Sequence, residues 1–380
     1  MKKRTKLIVA IFVVLFFIIV INVFSILYIK SCLKPTRQFL QGEICDSGET
    51  YCEITPFVVD EGAYGKSTLI KLEENGIIKD ANIVYYWNRI LGGYSFYAGY
   101  YELPHQIDGQ DISINQMLQW LATPENAHQD TVWVKLEEGD FARNFAREIA
   151  EVTTVKEDEL LAYWNDETVV RSYMSEYPFL TEEMFDDDVK ILLEGYLFPD
   201  TYEFFEYTNP DEITRRLLDR TLDIYEEYEQ DFKNSKLSIH EIFTLASICQ
   251  WESGNLEDSK VVAGVFLNRL ENPDYEDIQV LGSTVTACYA FDLTKDECYS
   301  VGDTTKYTHS DNPYNTYTNA GLPPGPVCCP NEISIIAALN PDQSDGYYYF
   351  VANMCEGGTA FARTWSQHEV NIDRYYLACD

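Results

Sequence analysis

The stretch LSIHEIFTLASICQWESGN, Leu237 to Asn255, decides how this chain is read. Ser238 and Glu241 stand at the N-cap and N3 spacing of a capping box, with Leu237 and Ile242 at the positions of a hydrophobic staple, so the helix entry is specified locally. Ile242, Leu245, Ile248, Cys249 and Glu252 then recur at three and four residues and share one face. Gly254 predicts a C′ stop. Glu252 therefore falls in the last turn, in line with apolar neighbours. Burial disfavours its charged form and the negative end of the helix dipole acts in the same direction, so its pKa is expected above ~4.3. A carboxylic acid kept protonated near neutral pH is what a general acid requires. The competing reading is a glutamate turned outward into water, the fate of most glutamates.

The next helix, KVVAGVFLNRL, carries Asn268 and Arg269 among apolar positions, where they also read as partners for local backbone or charge. Further on, Gly321, Pro323, Pro324, Gly325 and Pro326 define a rigid loop, preceded by Tyr314, Asn315 and Tyr317. Those three read equally as loop packing or as sugar recognition, since conspicuous loops often carry function. Pro330 or Asn331 starts a helix, and Tyr347 to Val351 reads as a strand. Upstream, LLEGYLFPDTYEF, Leu192 to Phe204, places Glu194 among apolar residues, either as a capping carboxylate of a buried loop or as an orienting group in a cleft.

Nearer the N-terminus, TPFVVDEGAYGKSTLIKLEENGIIKD reads as strand, turn and helix. Its GAYGKST imitates a phosphate loop, but the Walker pattern requires glycine where Asp60 stands, which argues against nucleotide. ISINQMLQWLATPE adds a short helix, TVWVKLEEGD a strand and FARNFAREIAEV another helix. Lys156 to Asp188 is acidic with a helical pattern.

The first thirty residues differ in kind. Lys2, Lys3, Arg4 and Lys6 precede an apolar run, Leu7 to Ile29, and about 23 residues of helix span a ~30 Å hydrocarbon core. A cleaved signal peptide would have a shorter run and a small-residue cleavage site. A single membrane helix with a cytoplasmic N-terminus is expected, although Lys30, Lys34 and Arg37 on the far side reduce the charge asymmetry.

The net charge of -34 falls on the outer part and disfavours nucleic acid. A neutral glycan, read by aromatic faces and hydrogen bonds, suits the 28 tyrosines better. The 10 cysteines show no CxxC pairs, which gives little support to a metal site. Outside the cytoplasm, disulfides such as Cys45 with Cys52 or Cys288 with Cys298 are allowed.

Six ordered motifs then coincide: EGYLFPDTY at 194–202, LASICQWESG at 245–254, VAGVFLNRL at 262–270, NPYNTY at 312–317, GLPPGP at 321–326 and YYFVANMCEGGTAFARTWSQHE at 348–369. With them the chain resembles the YceG-like, or MltG, family of endolytic murein transglycosylases. The resemblance implies an α+β protein with a cytoplasmic tip and transmembrane helix at 1–36 and a linker at 37–53. A small LysM-like α/β subdomain at 54–133 and a lysozyme-like mixed α/β catalytic domain at 134–380 would follow. It implies no cofactor or metal, and peptidoglycan strands and cell-wall synthases as partners. The family's catalytic glutamate falls on Glu252. Glu194, Tyr202, Ser253, Asn268, Tyr314, Asn315 and Tyr317 become candidates for substrate binding. The chain departs from the family at Gln250, where members have a second Glu. It departs again at Gly282-Ser283-Thr284-Val285-Thr286, in place of Gln-Ser-Asp-Pro-Thr, and at Thr359, in place of His. These departures leave open a glycan-binding scaffold with weakened catalysis as the alternative.

Overall fold

The computed structural model of the chain describes residue 16 and residues 19–41, 54–60, 63, 65–275, 278, 280–293, 297–298, 310–352 and 358–375. Two compact units emerge, Met1–Val132 with Phe205–Asn209, and Trp133–Phe204 with Pro210–Asp380.

In the first unit, β1 (Ile54–Val59) pairs antiparallel with β2 (Gly99–Pro104), Ile54 opposite Pro104 and Val59 opposite Gly99. The expected strand, turn and helix appear as β1 and a helix over Gly65–Glu74. Counting the short helix α1 (Arg37–Leu40), that helix is α2. α3 (Ala81–Ile90), which the sequence reading does not anticipate, is capped by the Asp80 carboxylate on the Ile83 N–H. α4 (Ile114–Leu121) opens with a Ser113–Gln116 capping box. Phe57, Leu69, Leu72, Val84, Tyr101 and Leu118 form one apolar core.

Part of the expected linker is not a linker. α1 carries Phe39 into that core, fully buried, because Thr36 is tied to Gly76 and Ile77 by its hydroxyl and N–H. Ile19–Leu40 is long and apolar enough to cross a membrane. Its Ile19, Ile21, Phe24 and Leu27 side chains are exposed in the isolated chain. Residues 7–15 and 17–18 of the expected span, most of the linker, and the Cys45–Cys52 pair lie outside the described residues.

In the second unit, β5 (Thr131–Lys135) pairs with β6 (Thr201–Phe205), numbered after a two-residue hairpin of β3 (Gln106–Ile107) and β4 (Gln110–Asp111) in the first unit. α5 (Ala142–Val152), α6 (Glu157–Trp164), α7 (Glu167–Tyr173), α8 (Pro210–Glu227) and α9 (Glu229–Asn234) precede the central helix, α10 (Ile239–Glu252). α10 packs on α11 (Leu256–Glu271) and, after α12 (Thr284–Ala290), both pack on α13 (Glu332–Leu339). β7 (Tyr349–Ala352) and β8 (Thr359–Ala362) form an antiparallel hairpin covered by α14 (Trp365–Tyr375). Residues 353–357 of the last motif are outside the described set. Cys288 and Cys298 are joined, one of the pairings allowed by the sequence.

The expected capping box of α10 is present, with Ser238 N–H on Glu241 and Glu241 N–H on the Ser238 hydroxyl. Two details differ from expectation. α10 does not present a single apolar stripe: His240 and every residue from Ile242 to Cys249 are buried, because neighbours enclose it on all sides. Its C-terminus is not a left-handed glycine. Ser253 turns extended at φ −151° and ψ 143°, its N–H bonded to the Cys249 carbonyl, and Asn255 then caps α11 through the Asp258 N–H.

α11 approaches the chain after α13 at Gly264. The Asp342 N–H bonds to the Lys260 carbonyl at 2.9 Å, and a Cβ on Gly264 would lie 2.0 Å from the Asp342 carbonyl oxygen. Backbone on both sides cannot yield without separating the helices. Gly264→Ala is therefore expected to lower the urea-unfolding free energy by about 3 kcal/mol; a loss under about 0.5 kcal/mol, the range of a neutral surface change, would contradict this close contact.

Candidate active site

Glu252 ends α10 and keeps part of its side chain at the surface, while its carboxyl is crowded by protein. Oε1 accepts from the Ser283 hydroxyl at 2.8 Å. Burial raises its pKa above the ordinary carboxylate value, opposed by the Ser283 hydrogen bond and the positive charge of Arg269. Among the described residues, no other carboxylate acts on it by charge or hydrogen bond.

Ser283 is held by a small hydroxyl network. Its N–H donates to the Thr316 hydroxyl at 3.1 Å, its carbonyl accepts from Thr286 at 2.7 Å, and the Thr286 and Thr316 hydroxyls are 2.7 Å apart. Gly282 precedes it in a left-handed conformation, φ 66°, that a side chain would strain. The Gly282 N–H bonds to the Thr316 carbonyl. Thr284 and Tyr317 hydroxyls meet at 3.0 Å, and burial raises the Tyr317 pKa above the ordinary phenol value. This network uses the Ser and Thr positions that the altered run shares with the family pattern.

Arg269, noted in the sequence as a partner for local backbone or charge but not among the site candidates, lies beside Glu252 in its electrostatics. Its Nε donates to the Tyr348 carbonyl at 2.7 Å and a terminal nitrogen donates to the Leu281 carbonyl. Its neighbour Asn268, a candidate for substrate binding, instead latches backbone and side chain: its amide donates to Tyr347 O at 2.8 Å and accepts from Gln343 at 3.0 Å. Ser253 has its hydroxyl on the Asn255 carbonyl at 3.3 Å. His368, also missed by the sequence reading, stacks on Tyr349 with ring centroids 5.3 Å apart, and burial together with Arg269 lowers its pKa.

Glu194, Tyr314, Asn315 and Tyr202 have other surroundings. Glu194 is buried, and its Oε1 accepts the Ala142 N–H at 2.8 Å, capping the start of α5. Cys329 and Tyr289 adjoin it, and among the described residues its Oε2 and the Tyr289 hydroxyl are buried without a hydrogen-bond partner. Burial pushes the Glu194 pKa up to about 7, against the opposing Ala142 N–H, Tyr289 and nearby cations. Tyr314 packs its ring on Tyr289 at 4.8 Å and accepts the Lys190 N–H. Asn315 is fully buried and braces its own loop through the Tyr317 N–H and the Ser310 carbonyl. Tyr202 donates to the Phe198 carbonyl at 2.7 Å and stacks on Phe204.

Gln250, where the family carries a second glutamate, faces α13. Its Oε1 accepts the Asn331 N–H and the Ser334 hydroxyl, each at 2.9 Å. Two residues along a helix turn through about 200°, so position 250 points away from Glu252. An amide oxygen accepts these two bonds as a carboxylate would, which gives the departure a structural account. Thr359 heads β8 opposite Ala352. Among the described residues, no cluster of three or more His, Cys, Asp or Glu side chains could hold a metal ion.

Residues 57–374 match the YceG-like family. The chain belongs to that family. It is 30% identical to an endolytic murein transglycosylase of Bacillus subtilis (strain 168) over 353 residues, 92% of this chain and 90% of that one. An endolytic murein transglycosylase of Streptococcus pneumoniae (strain R6) is 30% identical over 324 residues, but the match spans only 57% of its length. The crystal structure of a YceG-like protein from Listeria monocytogenes superposes with a TM-score of 0.56 at 27% identity, covering 84% of this chain and 98% of that one. The YceG-like frame thus includes Glu252, Ser283, Arg269 and Glu194 within one matched region.

The Glu194 cluster generates a stability prediction. The folded chain retains a proton on Glu194 up to about pH 7, whereas the ordinary value is 4.5. Between these limits the folded state binds more protons than the unfolded state, so stability falls as pH rises through the window. Glu194→Gln keeps an acceptor for the Ala142 N–H and removes the titration. Its stability relative to wild type should grow from about pH 5 to about pH 8, by at most about 3 kcal/mol, in urea titrations. A difference that stays constant with pH would show that Glu194 does not titrate there.

Proposed function

We propose that this chain is an endolytic murein transglycosylase anchored in the cell membrane. Family membership and the Bacillus relative, matched over nearly all of its length, support the reaction class. The observation that carries it to a residue is the crowded carboxyl of Glu252, with a hydroxyl on one oxygen and no second carboxylate acting on it among the described residues.

Such a group serves a reaction that uses one acid twice. Protonated Glu252 gives its proton to the glycosidic oxygen between N-acetylmuramic acid and N-acetylglucosamine as the C1–O bond breaks, and oxocarbenium character develops at C1. The acetamido oxygen of the same sugar traps that centre. The Glu252 carboxylate then takes the proton from the muramic C6 hydroxyl as the C6 oxygen closes on C1 and the bond from C1 to the acetamido oxygen breaks, which restores the acetamide. The product is a 1,6-anhydro end, formed without water. Ordinary two-carboxylate hydrolysis would require a partner acid for a water or a covalent intermediate.

In this reading the apolar N-terminal segment spans the membrane with its basic end in the cytoplasm. Its exposed apolar side chains support that placement. The unit at 54–133 is LysM-like and the region 134–380 catalytic. Tyr317, whose hydroxyl meets Thr284 beside Ser283, contacts the glycan, with Ser253 at the rim. Glu194, Asn268, Tyr314, Asn315 and Tyr202 act by bracing the walls of the site. The enzyme trims or terminates new strands alongside cell-wall synthases.

Digestion of purified sacculi tests the reaction. Wild type should release muropeptides ending in 1,6-anhydromuramic acid, one water lighter than hydrolytic products, and Glu252→Gln should lower release by roughly 100-fold or more. Reducing ends in the products would identify a hydrolase. Equal release by both proteins would remove Glu252 from the chemistry and leave a glycan-binding scaffold.

A further inference from the structure

We propose that Arg269 is the positioning residue for the acid Glu252: its guanidinium seats Ser283 on the carboxyl by holding the Leu281 carbonyl, and its charge faces the carboxylate formed when the proton leaves. This deepens the reading of Glu252 given above and rests on it.

The geometry begins with two backbone carbonyls. Arg269 lies in the last turn of α11 and bonds at once to Tyr348 O, just before β7, and to Leu281 O, two residues before Ser283. A planar guanidinium makes two such bonds with directions fixed by one plane, which a lysine cannot reproduce. Between Leu281 and Ser283 stands Gly282 in its left-handed conformation, and beyond it the Ser283 N–H is tied to Thr316. The turn 281–283 is therefore pinned at both ends, by Arg269 and by Thr316, and the Ser283 hydroxyl reaches Glu252 Oε1. With Oε1 occupied by a donor, Oε2 is the oxygen left to carry the proton to the glycosidic bond.

Charge adds a second role. Among the described residues, the hydrogen-bond partners of Arg269 are both neutral carbonyls, and the carboxylate acting on it is Glu252. A buried cation without a bonded counter-ion favours a nearby anion. The other titratable groups around the pair are neutral near pH 7: burial raises the Cys249 thiol and Tyr317, and lowers His368. The Arg269 guanidinium also lies 5.7 Å from the centroid of the Tyr349 ring. Burial thus keeps the proton on Glu252, while Ser283 and Arg269 stabilise the carboxylate between the two proton transfers.

The test measures kcat and KM against pH for the full-length chain in detergent on soluble, uncrosslinked peptidoglycan strands. A general acid is active below its pKa, so activity falls as pH rises through it, and the alkaline limb of kcat reports that value in the complex. In Arg269→Gln the carboxylate loses a stabilising charge, so the limb should move to higher pH. The rate should fall roughly ten- to a hundredfold, with KM within about twofold of wild type. Ser283→Ala should move the limb in the same direction. Arg269→Lys should return the limb toward wild type but not the rate, since an ammonium keeps the charge and loses the two-carbonyl grip. If Arg269→Gln does not fold, the other two variants give the same readouts. Limbs unmoved in Arg269→Gln and Ser283→Ala would overturn the proposal, as would a rise in KM with kcat unchanged, which marks a substrate contact. A Glu252→Gln control with wild-type rate would overturn instead the assignment of the acid itself.

Discussion

The hydrogen bond from Ser283 to Glu252 is the contact on which the geometry of the candidate site depends. It joins the end of a central helix to a turn that is 31 residues away in sequence, and nothing local holds those two segments together. α10 supplies one half because it is enclosed along its whole length from Ile242 to Cys249, so its last turn has no freedom to shift. Arg269, Gly282 and the threonine pair supply the other half. Burial and hydrogen bonding then act on the carboxyl in opposite senses, and the proposed role, in which Glu252 releases and recovers a proton, calls on both.

Three consecutive residues show how α10 connects its surroundings. Successive side chains leave a helix about 100° apart. Gln250 caps the start of α13, Trp251 donates to the Gly139 carbonyl at 2.8 Å, and Glu252 meets Ser283. Gly139 and Asp140 in turn exchange backbone bonds with Cys329, beside Glu194, which caps the helix beginning at Ala142. The buried glutamate of the EGYLFPDTY motif therefore supports the loop against which the residue preceding Glu252 rests.

The helix, its capping box and the apolar setting of Glu252 were legible in Leu237 to Asn255, because caps and periodicity act over four residues. The strand of 54–59, the helix from Ser113 and the helix start at Asn331 were legible for the same reason. Gly254 was misread, since a helix can also end when the following residue caps another helix. Asn268 and Arg269 were indistinguishable in sequence. Adjacent residues point about 100° apart, and only packing shows that one latches Tyr347 and the other reaches Leu281 and Tyr348.

The sequence by itself determined part of the elements, the family through six ordered motifs, and the residue whose carboxyl lies on a buried helix. Local propensity and pattern suffice for these because the interactions that encode them are short. The tertiary structure alone decided which polar groups share a site. Ser283 comes from a run that departs from the family pattern, Arg269 from an apolar helix and His368 from the last helix. Ser283 and Arg269 act on Glu252 itself, and His368 acts on Arg269, through contacts between segments distant in sequence, where side-chain direction is set by packing.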